Sequence, residues 1–320
     1  MFDQILVPLD GSLLAECVLP QVVALGQSFN AKIVLLRVME KNPVSASNEF
    51  IDIINWQINK TEVKQYLNRI GDRLQSSGLK SEAIVLEGPV AESITEFSQR
   101  QGVKLIILGS HGKSGLRKSR ISSITYEILH SASTSVLIVR AHQLPEQHYD
   151  RILVPLDGSW RAENALPMAI LLARFHKSQI QIVHVVKKPE MARHLPPVQE
   201  DIDLSDRMVA RNREEAIHYL DQFRSDPHLA GIDVQTHLIV SDNATCALHE
   251  LIDREKIDLV ILNAHGHSGN CQWPYGSLVN NFILYGNVPL LIIQDLPVKE
   301  ETNMEGKSQV DVRIKEHSLN

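Results

Sequence analysis

The chain has 320 residues, 43% of them apolar and 22% charged, with a formal net charge of −6. That length accommodates two domains of ordinary size. The composition is that of a globular chain that folds in water, and the acidic balance argues against nucleic acid as a partner. Three widely spaced cysteines, Cys17, Cys246 and Cys271, offer neither a disulfide framework nor a C-x-x-C metal pair, so a reducing, cytoplasmic setting is expected. No charged-then-apolar leader precedes the first strand pattern, and no run of about eighteen apolar residues exists, so neither a leader nor a membrane partner is expected.

Taken in order, Ile5-Leu6-Val7-Pro8-Leu9 is an apolar run ended by Asp10-Gly11-Ser12, hence a buried strand and its exit. Helical spacing of Leu14, Val18, Val22 and Leu25 predicts a helix over 13–29, and a second buried strand follows at 32–38. Residues 41–60 read as a polar connection, and Val63, Tyr66, Leu67, Ile70 and Leu74 predict a helix over 61–79. A strand at 82–86, a helix at 90–99, a strand at 105–108, a helix at 125–130 and a strand at 135–139 complete the series.

The series then restarts. Ile152-Leu153-Val154-Pro155-Leu156-Asp157-Gly158-Ser159 copies residues 5–12 unchanged; Ala162-Glu163 and Leu166-Pro167 repeat Ala15-Glu16 and Leu19-Pro20. Strands are expected at 180–186, 234–240, 257–262 and 289–293, a long helix at 207–223, and a polar connection at 189–203. The domains are therefore drawn as 1–141 and 150–295, joined by a polar linker, with 296–320 as a mobile polar tail too poor in apolar residues to offset its ordering entropy. Alternating strands and helices predict, in each half, a five-stranded, mainly parallel sheet covered by helices on both faces. Ligands of such α/β sheets bind beyond the carboxyl ends of the strands, where strand order reverses.

Each half has a glycine-rich turn after its fourth strand: Gly109-Ser110-His111-Gly112 in the first, Asn263-Ala264-His265-Gly266 in the second. A turn of this kind running into a helix start suits an anion such as phosphate. The dinucleotide fingerprint and the P-loop are both absent.

The repeated Ile-Leu-Val-Pro-Leu-Asp-Gly-Ser, together with the spacing Gly, two residues, Gly, nine residues, Gly and Ser or Thr, resembles the universal stress protein family in tandem form. The resemblance implies two Rossmann-like domains of the adenine-nucleotide alpha-hydrolase type. It also implies a stress-response module that binds ATP, with Mg2+, and signals through its bound state. A nucleotide-free scaffold and a slow ATP hydrolase are the alternatives. By the same match Pro8, Asp10, Val38, Leu108, Gly109, Gly112, Ser123 and Ile124 surround a nucleotide in the first half. Pro155, Asp157, Val185, Leu262, Gly266, Gly276, Ser277 and Leu278 do so in the second.

Neither loop is complete. Ser122 stands in the third glycine place of the first half, and Asn263 in the first glycine place of the second, where its tolerance of positive φ could keep the turn. Asp10 and Asp157 read equally well as ligand contacts or as Asx-turn residues. His111 and His265 have no accompanying Ser–His–Asp order or carboxylate pair, so no catalytic residue and no metal site are assigned. Trp160 reads as a surface aromatic, and the 267–275 loop, with Cys271, Trp273, Pro274 and Tyr275, as a packed lid or a partner contact. Lys113, Arg117, Lys118 and Arg120 place positive charge in the first loop and none is present in the second, so tighter nucleotide binding is expected in the first half. The uncharged fifth strands, left as free edges, would invite aggregation; pairing of the two domains within one chain is expected, and a homo-oligomer is compatible with the same edges.

Overall fold

The computed structural model describes residues 2–40, 49–111, 121–140, 148–189, 199–266 and 274–294, with 49–53 as backbone only. Residues 141–147 of the linker expected near 141–149, most of the two glycine loops and the tail from 295 onward lie outside the described residues, while Tyr149 at the linker's end is fully buried.

The first half runs β1 (Gln4–Pro8), α1 (Leu19–Phe29), β2 (Lys32–Met39), α2 (Glu49–Ser76), β3 (Ser81–Glu87), α3 (Val90–Arg100), β4 (Leu105–Gly109), α4 (Ser123–Ser131) and β5 (Ser135–Val139). The second runs β6 (Arg151–Pro155), α5 (Trp160–Glu163), α6 (Leu166–His176), β7 (Gln179–Lys187), α7 (Gln199–Arg224), β8 (Val234–Ser241), α8 (Ala244–Glu255), β9 (Leu259–Asn263), α9 (Ser277–Tyr285) and β10 (Leu290–Ile293). The strand order is β3-β2-β1-β4-β5-β10-β9-β6-β7-β8. Each half is thus a five-stranded parallel sheet whose order reverses between its first and fourth strands.

The halves meet where β5 and β10 pair antiparallel, Leu137 opposite Leu291, both fully buried. A second contact lies between α1 and α6. There Tyr149 donates its hydroxyl hydrogen to Gln21 Oε1, and Ser28 Oγ shares a hydrogen bond of 3.0 Å with His176 Nε2. Two apolar layers, one on each face of the sheet, continue across both halves; Ile5, Leu137, Ile152 and Leu291 lie in one, Leu6, Val136, Leu153 and Ile292 in the other. The period-2 alternation of those strand residues is what puts neighbours on opposite faces.

Three expectations are corrected in detail. The helix expected over 13–29 is interrupted: a 3-10 turn over Ala15–Val18 precedes α1, and Pro20, at the start of α1, lacks the N–H needed to continue a helix from upstream. The polar connections end earlier than expected, because α2 begins at Glu49 and α7 at Gln199. Both helices start after the last prolines of their connections, Pro43 and Pro197. Ile54 and Ile58 of α2 and Ile202 and Leu204 of α7 are exposed, so these apolar residues do not mark a buried face.

Candidate functional site

The reversal of strand order leaves a crevice beyond the ends of β1 and β4, and another beyond β6 and β9. In the first half Leu9 N–H bonds Leu36 O at 2.8 Å, and Ser122 N–H bonds Ser110 O at 2.8 Å, which brings the head of α4 to the end of β4. The second half repeats both contacts as Leu156 N–H to Val183 O at 2.9 Å and Gly276 N–H to Ala264 O at 2.8 Å.

The resulting clefts differ in size. The first encloses about 400 Å³ and is lined by Pro8, Asp10, Val38, Leu108, Gly109, Ser123 and Ile124; Gly112 lies outside the described residues. The second encloses about 1140 Å³ and is lined by all eight expected residues: Pro155, Asp157, Val185, Leu262, Gly266, Gly276, Ser277 and Leu278. Small-molecule sites run roughly 300–1,000 Å³, so the first is near the tight end and the second exceeds the upper end.

Asp10 and Asp157 hold their own turns. Asp10 Oδ1 accepts from Ser12 N–H at 2.9 Å and Ser12 Oγ–H at 2.6 Å, and Ser12 Oγ accepts from Ala15 N–H at 3.1 Å. Asp157 repeats this with Ser159 at 3.1 and 2.6 Å, and Ser159 Oγ with Ala162 N–H at 3.2 Å. The other Asp157 oxygen lies so close to the second loop that a Cβ at Gly266 would stand 2.2 Å from it. Gly266 is therefore needed for the approach of this carboxylate to the backbone, at a position with no positive φ.

The turn after β9 survives the loss of its first glycine by a different route from the one expected. Asn263 has no positive φ; its buried side chain donates through Nδ2 to His265 O at 2.9 Å. In the first half a Cβ on Gly109 would meet the matching His111 O at 3.0 Å. Asn263 meets the same carbonyl with a hydrogen-bond donor.

The helix heads are finished differently. Ser122 caps α4, its Oγ accepting from Thr125 N–H at 3.1 Å, while Thr125 Oγ1–H ties back to Gly109 O at 3.0 Å. Gly276 stands at the matching place before α9, and among the described residues no side chain caps that first turn. The first N–H groups of a helix point out of its N-terminal end and carry partial positive charge. At α9 they open on the cleft that Ser277, Leu278 and Val279 line.

Two strand residues beside Val38 and Val185 escaped the sequence reading. Arg37 Nη1 donates to Leu9 O at 3.3 Å, and His184 Nδ1–H donates to the equivalent Leu156 O at 2.9 Å. Burial holds His184 below the ordinary histidine range, partly offset by the Leu156 bond and by Asp157, so the ring is neutral with its proton on Nδ1. The eight-residue repeat already placed Arg37 and His184 in register; aligning the halves one strand further finds them. The larger cleft is also lined by Tyr219, whose hydroxyl is pushed far above its usual range by burial and by Glu163, to whose Oε1 it donates at 2.9 Å; Tyr66 of the first half is shifted the same way by burial and Glu16 but does not line the smaller cleft.

His111 and His265 are buried, and His111 shares a 3.2 Å hydrogen bond with Ser110. Tyr275 is buried in the core, and Trp160 is 70% exposed and lines neither cleft. Lys113, Arg117, Lys118, Arg120, Cys271 and Trp273 lie outside the described residues. Among the described residues no three His, Cys, Asp or Glu side chains gather as a metal site, and no helix is long and apolar enough to cross a membrane.

With this geometry in hand, the family comparison is decisive: the model of the universal stress protein family matches residues 1–140 and again 148–294. The chain belongs to the universal stress protein family. The universal stress protein YxiE of Bacillus subtilis is 30% identical over 149 residues, 44% of this chain and 100% of its own length. A universal stress protein of Methanocaldococcus jannaschii is 27% identical over 155 residues, 44% of this chain and 96% of its own. The crystal structure of a universal stress protein from Archaeoglobus fulgidus superposes with a TM-score of 0.64, covering 92% of this chain and 99% of that one at 21% identity. That likeness spans both halves and carries the fold.

Proposed function

We propose that this universal stress protein is a cytoplasmic stress-response module that binds an adenine nucleotide, ATP with Mg2+, and signals through its bound state. The observation that carries the reading is the uncapped head of α9, set behind Gly276 in a cleft of about 1140 Å³. Backbone N–H groups at such a head favour phosphate. The second half is therefore the stronger site, the reverse of the order that the loop charges alone suggest. The eight positions carried over from the family pattern in the second half form the nucleotide shell. The chain divides at 1–141 and 150–295, with 296–320 as a polar tail, and β5 and β10 join the halves within one chain in solution.

The first half supports a second reading for itself alone. Ser122 already occupies the helix donor that a phosphate would use, and its cleft is about 400 Å³. That half acts as scaffold. The glycine loops contain no carboxylate to act as a positioned base, so ATP turnover is absent or very slow.

Chromatography of nucleotide released from the purified full-length protein by acid tests the reading. An adenine nucleotide at close to one per chain is expected. Protein that carries none, and that gives no heat with millimolar Mg-ATP, would leave the nucleotide-free scaffold as the function.

A further inference from the structure

The residue after β5 crosses into the other half. Arg140 is 2% exposed and donates through Nη1 to Ile283 O at 3.1 Å and through Nη2 to Phe282 O at 2.6 Å. Those carbonyls belong to the last turn of α9, whose C-cap is Gly286. A Cβ at Gly286 would stand 3.0 Å from Arg140 Nη2 and 2.6 Å from Phe282 O, so the glycine is what admits the guanidinium. Phe282 O already accepts the Gly286 N–H at 2.9 Å, so Arg140 adds a second donor there and supplies one to Ile283 O, and a buried cation at this end complements the helix dipole.

The same place in the second half is held by Gln294, directly after β10. Its Nε2 reaches Ala132 O, the C-cap of α4, at 3.5 Å, and its N–H bonds Ser135 Oγ at 3.1 Å. Each half thus reaches the tail of the other half's last helix. Only one reach is a charged, buried, two-pronged contact, and it lands on the helix whose head is open to the larger cleft. At 1.5 Å per residue the head and tail of this nine-residue helix are roughly 12–14 Å apart.

We infer that Arg140, a first-half residue, is a positioning residue for the second-half cleft: by fixing the tail of α9 across the β5–β10 seam it sets the place and the polarity of the helix head, and so couples the two halves. A short rigid helix has few ways to move its head while its tail is pinned. The seam that joins the halves therefore also adjusts the site. The ligand side of this inference rests on the nucleotide reading above; the helix side does not.

The test uses full-length protein with Arg140→Gln, which copies the contact of Gln294, and Arg140→Lys, which keeps the charge and loses the fork. Amide hydrogen exchange without nucleotide is followed in 277–286 and, as an internal control, in 123–131. Mg-ATP affinity is then measured by calorimetry well below the unfolding temperature. Arg140→Gln should speed exchange in 277–286 by about tenfold or more and leave 123–131 unchanged, with Mg-ATP bound about tenfold more weakly. Arg140→Lys should fall between, and it decides the question by exchange if Arg140→Gln does not fold. Unchanged exchange in 277–286, or an equal rise in both helices, would overturn the inference, because the latter is what a merely structural loss produces. If the unaltered protein binds no nucleotide, the nucleotide reading fails and the exchange result alone decides the role of Arg140.

Discussion

At the head of α4 a serine hydroxyl caps the first turn; at the head of α9 there is a glycine and no side-chain cap. The same duplication gave Arg37 and His184, Phe29 and His176, Arg140 and Gln294 at matching places. In each pair the backbone role is conserved between the halves while the side-chain chemistry is not. What this difference teaches is that a repeated frame tolerates divergence wherever the chain can satisfy the local backbone by other means. Ser122 does so with a cap, and Asn263 does so with a bond to His265 O. The cost falls on the ligand side, where a donor satisfied internally is a donor lost to a phosphate.

The comparison has meaning only if both halves form one folded unit, and the largest expected effect tests that. Leu137→Asp puts a charge into the fully buried seam opposite Leu291. It should destabilise the protein by more than about 3 kcal/mol. Urea unfolding should also separate into two transitions. A single transition at the original midpoint would show that the seam is not what joins them.

The fit of Asp157 against Gly266 comes next. Gly266→Ala forces a Cβ to within 2.2 Å of the carboxylate unless something shifts. A loss of about 1–3 kcal/mol is expected, as for other overpacked sites. In an Asp157→Ala background the same change should cost much less, a coupling that a double-mutant cycle in thermal unfolding reads directly.

How far these features could be read from the sequence follows from their range. The eight-residue repeat and the apolar runs gave the duplication, the ten strands and the place of both crevices, because strand periodicity and turn residues are local. The carboxylate of Asp157 and the backbone of Gly266 are far apart in the chain, and no local pattern records their contact. Arg140 directly follows an apolar strand and nothing local sets it apart; its partners, Phe282 and Ile283, lie in the other half. The starts of α2 and α7 are hard to read for the opposite reason: Ile54, Ile58, Ile202 and Leu204 are apolar but exposed, so they follow no buried stripe.

A third expectation concerns the interface between α1 and α6. His176 is buried there beside His148 and Ser28, whereas its counterpart Phe29 packs on Phe2. Burial, with the His148 imidazole alongside, holds the His176 ring down at about 4. The unfolded chain, near 6.5, then binds the proton more readily, so this group makes stability fall as pH drops from about 6.5 toward 4. Asp258, raised to about 6 chiefly by burial, acts in the opposite sense across much of that range. Subtracting the stability profile of His176→Gln from that of the unaltered protein isolates the histidine. A difference that is flat below pH 6.5 would sink the assignment.

The smallest effect on stability, and a sharp one on the comparison, is an exchange of the two helix heads. Gly276→Ser has room for its Cβ, whose nearest neighbour is Ala264 O at 3.6 Å. It should stabilise the fold by a few tenths of a kcal/mol, and Ser122→Gly should cost a similar amount. In equilibrium dialysis with labelled ATP, Gly276→Ser should weaken binding and Ser122→Gly should add weak binding in the first half. Matching affinities in all three proteins would mean that the caps do not separate the clefts.

The most direct measurement is calorimetric titration of the full-length protein with Mg-ATP, beside Ser277→Glu and Ser123→Glu. Both serines are exposed at the first helical position, where a glutamate suits the helix dipole and keeps the fold while repelling a phosphate. The tight binding event should disappear in Ser277→Glu and persist in Ser123→Glu. Loss in Ser123→Glu with retention in Ser277→Glu would contradict the account, and would mean that Lys113, Arg117, Lys118 and Arg120 outweigh the open head of α9.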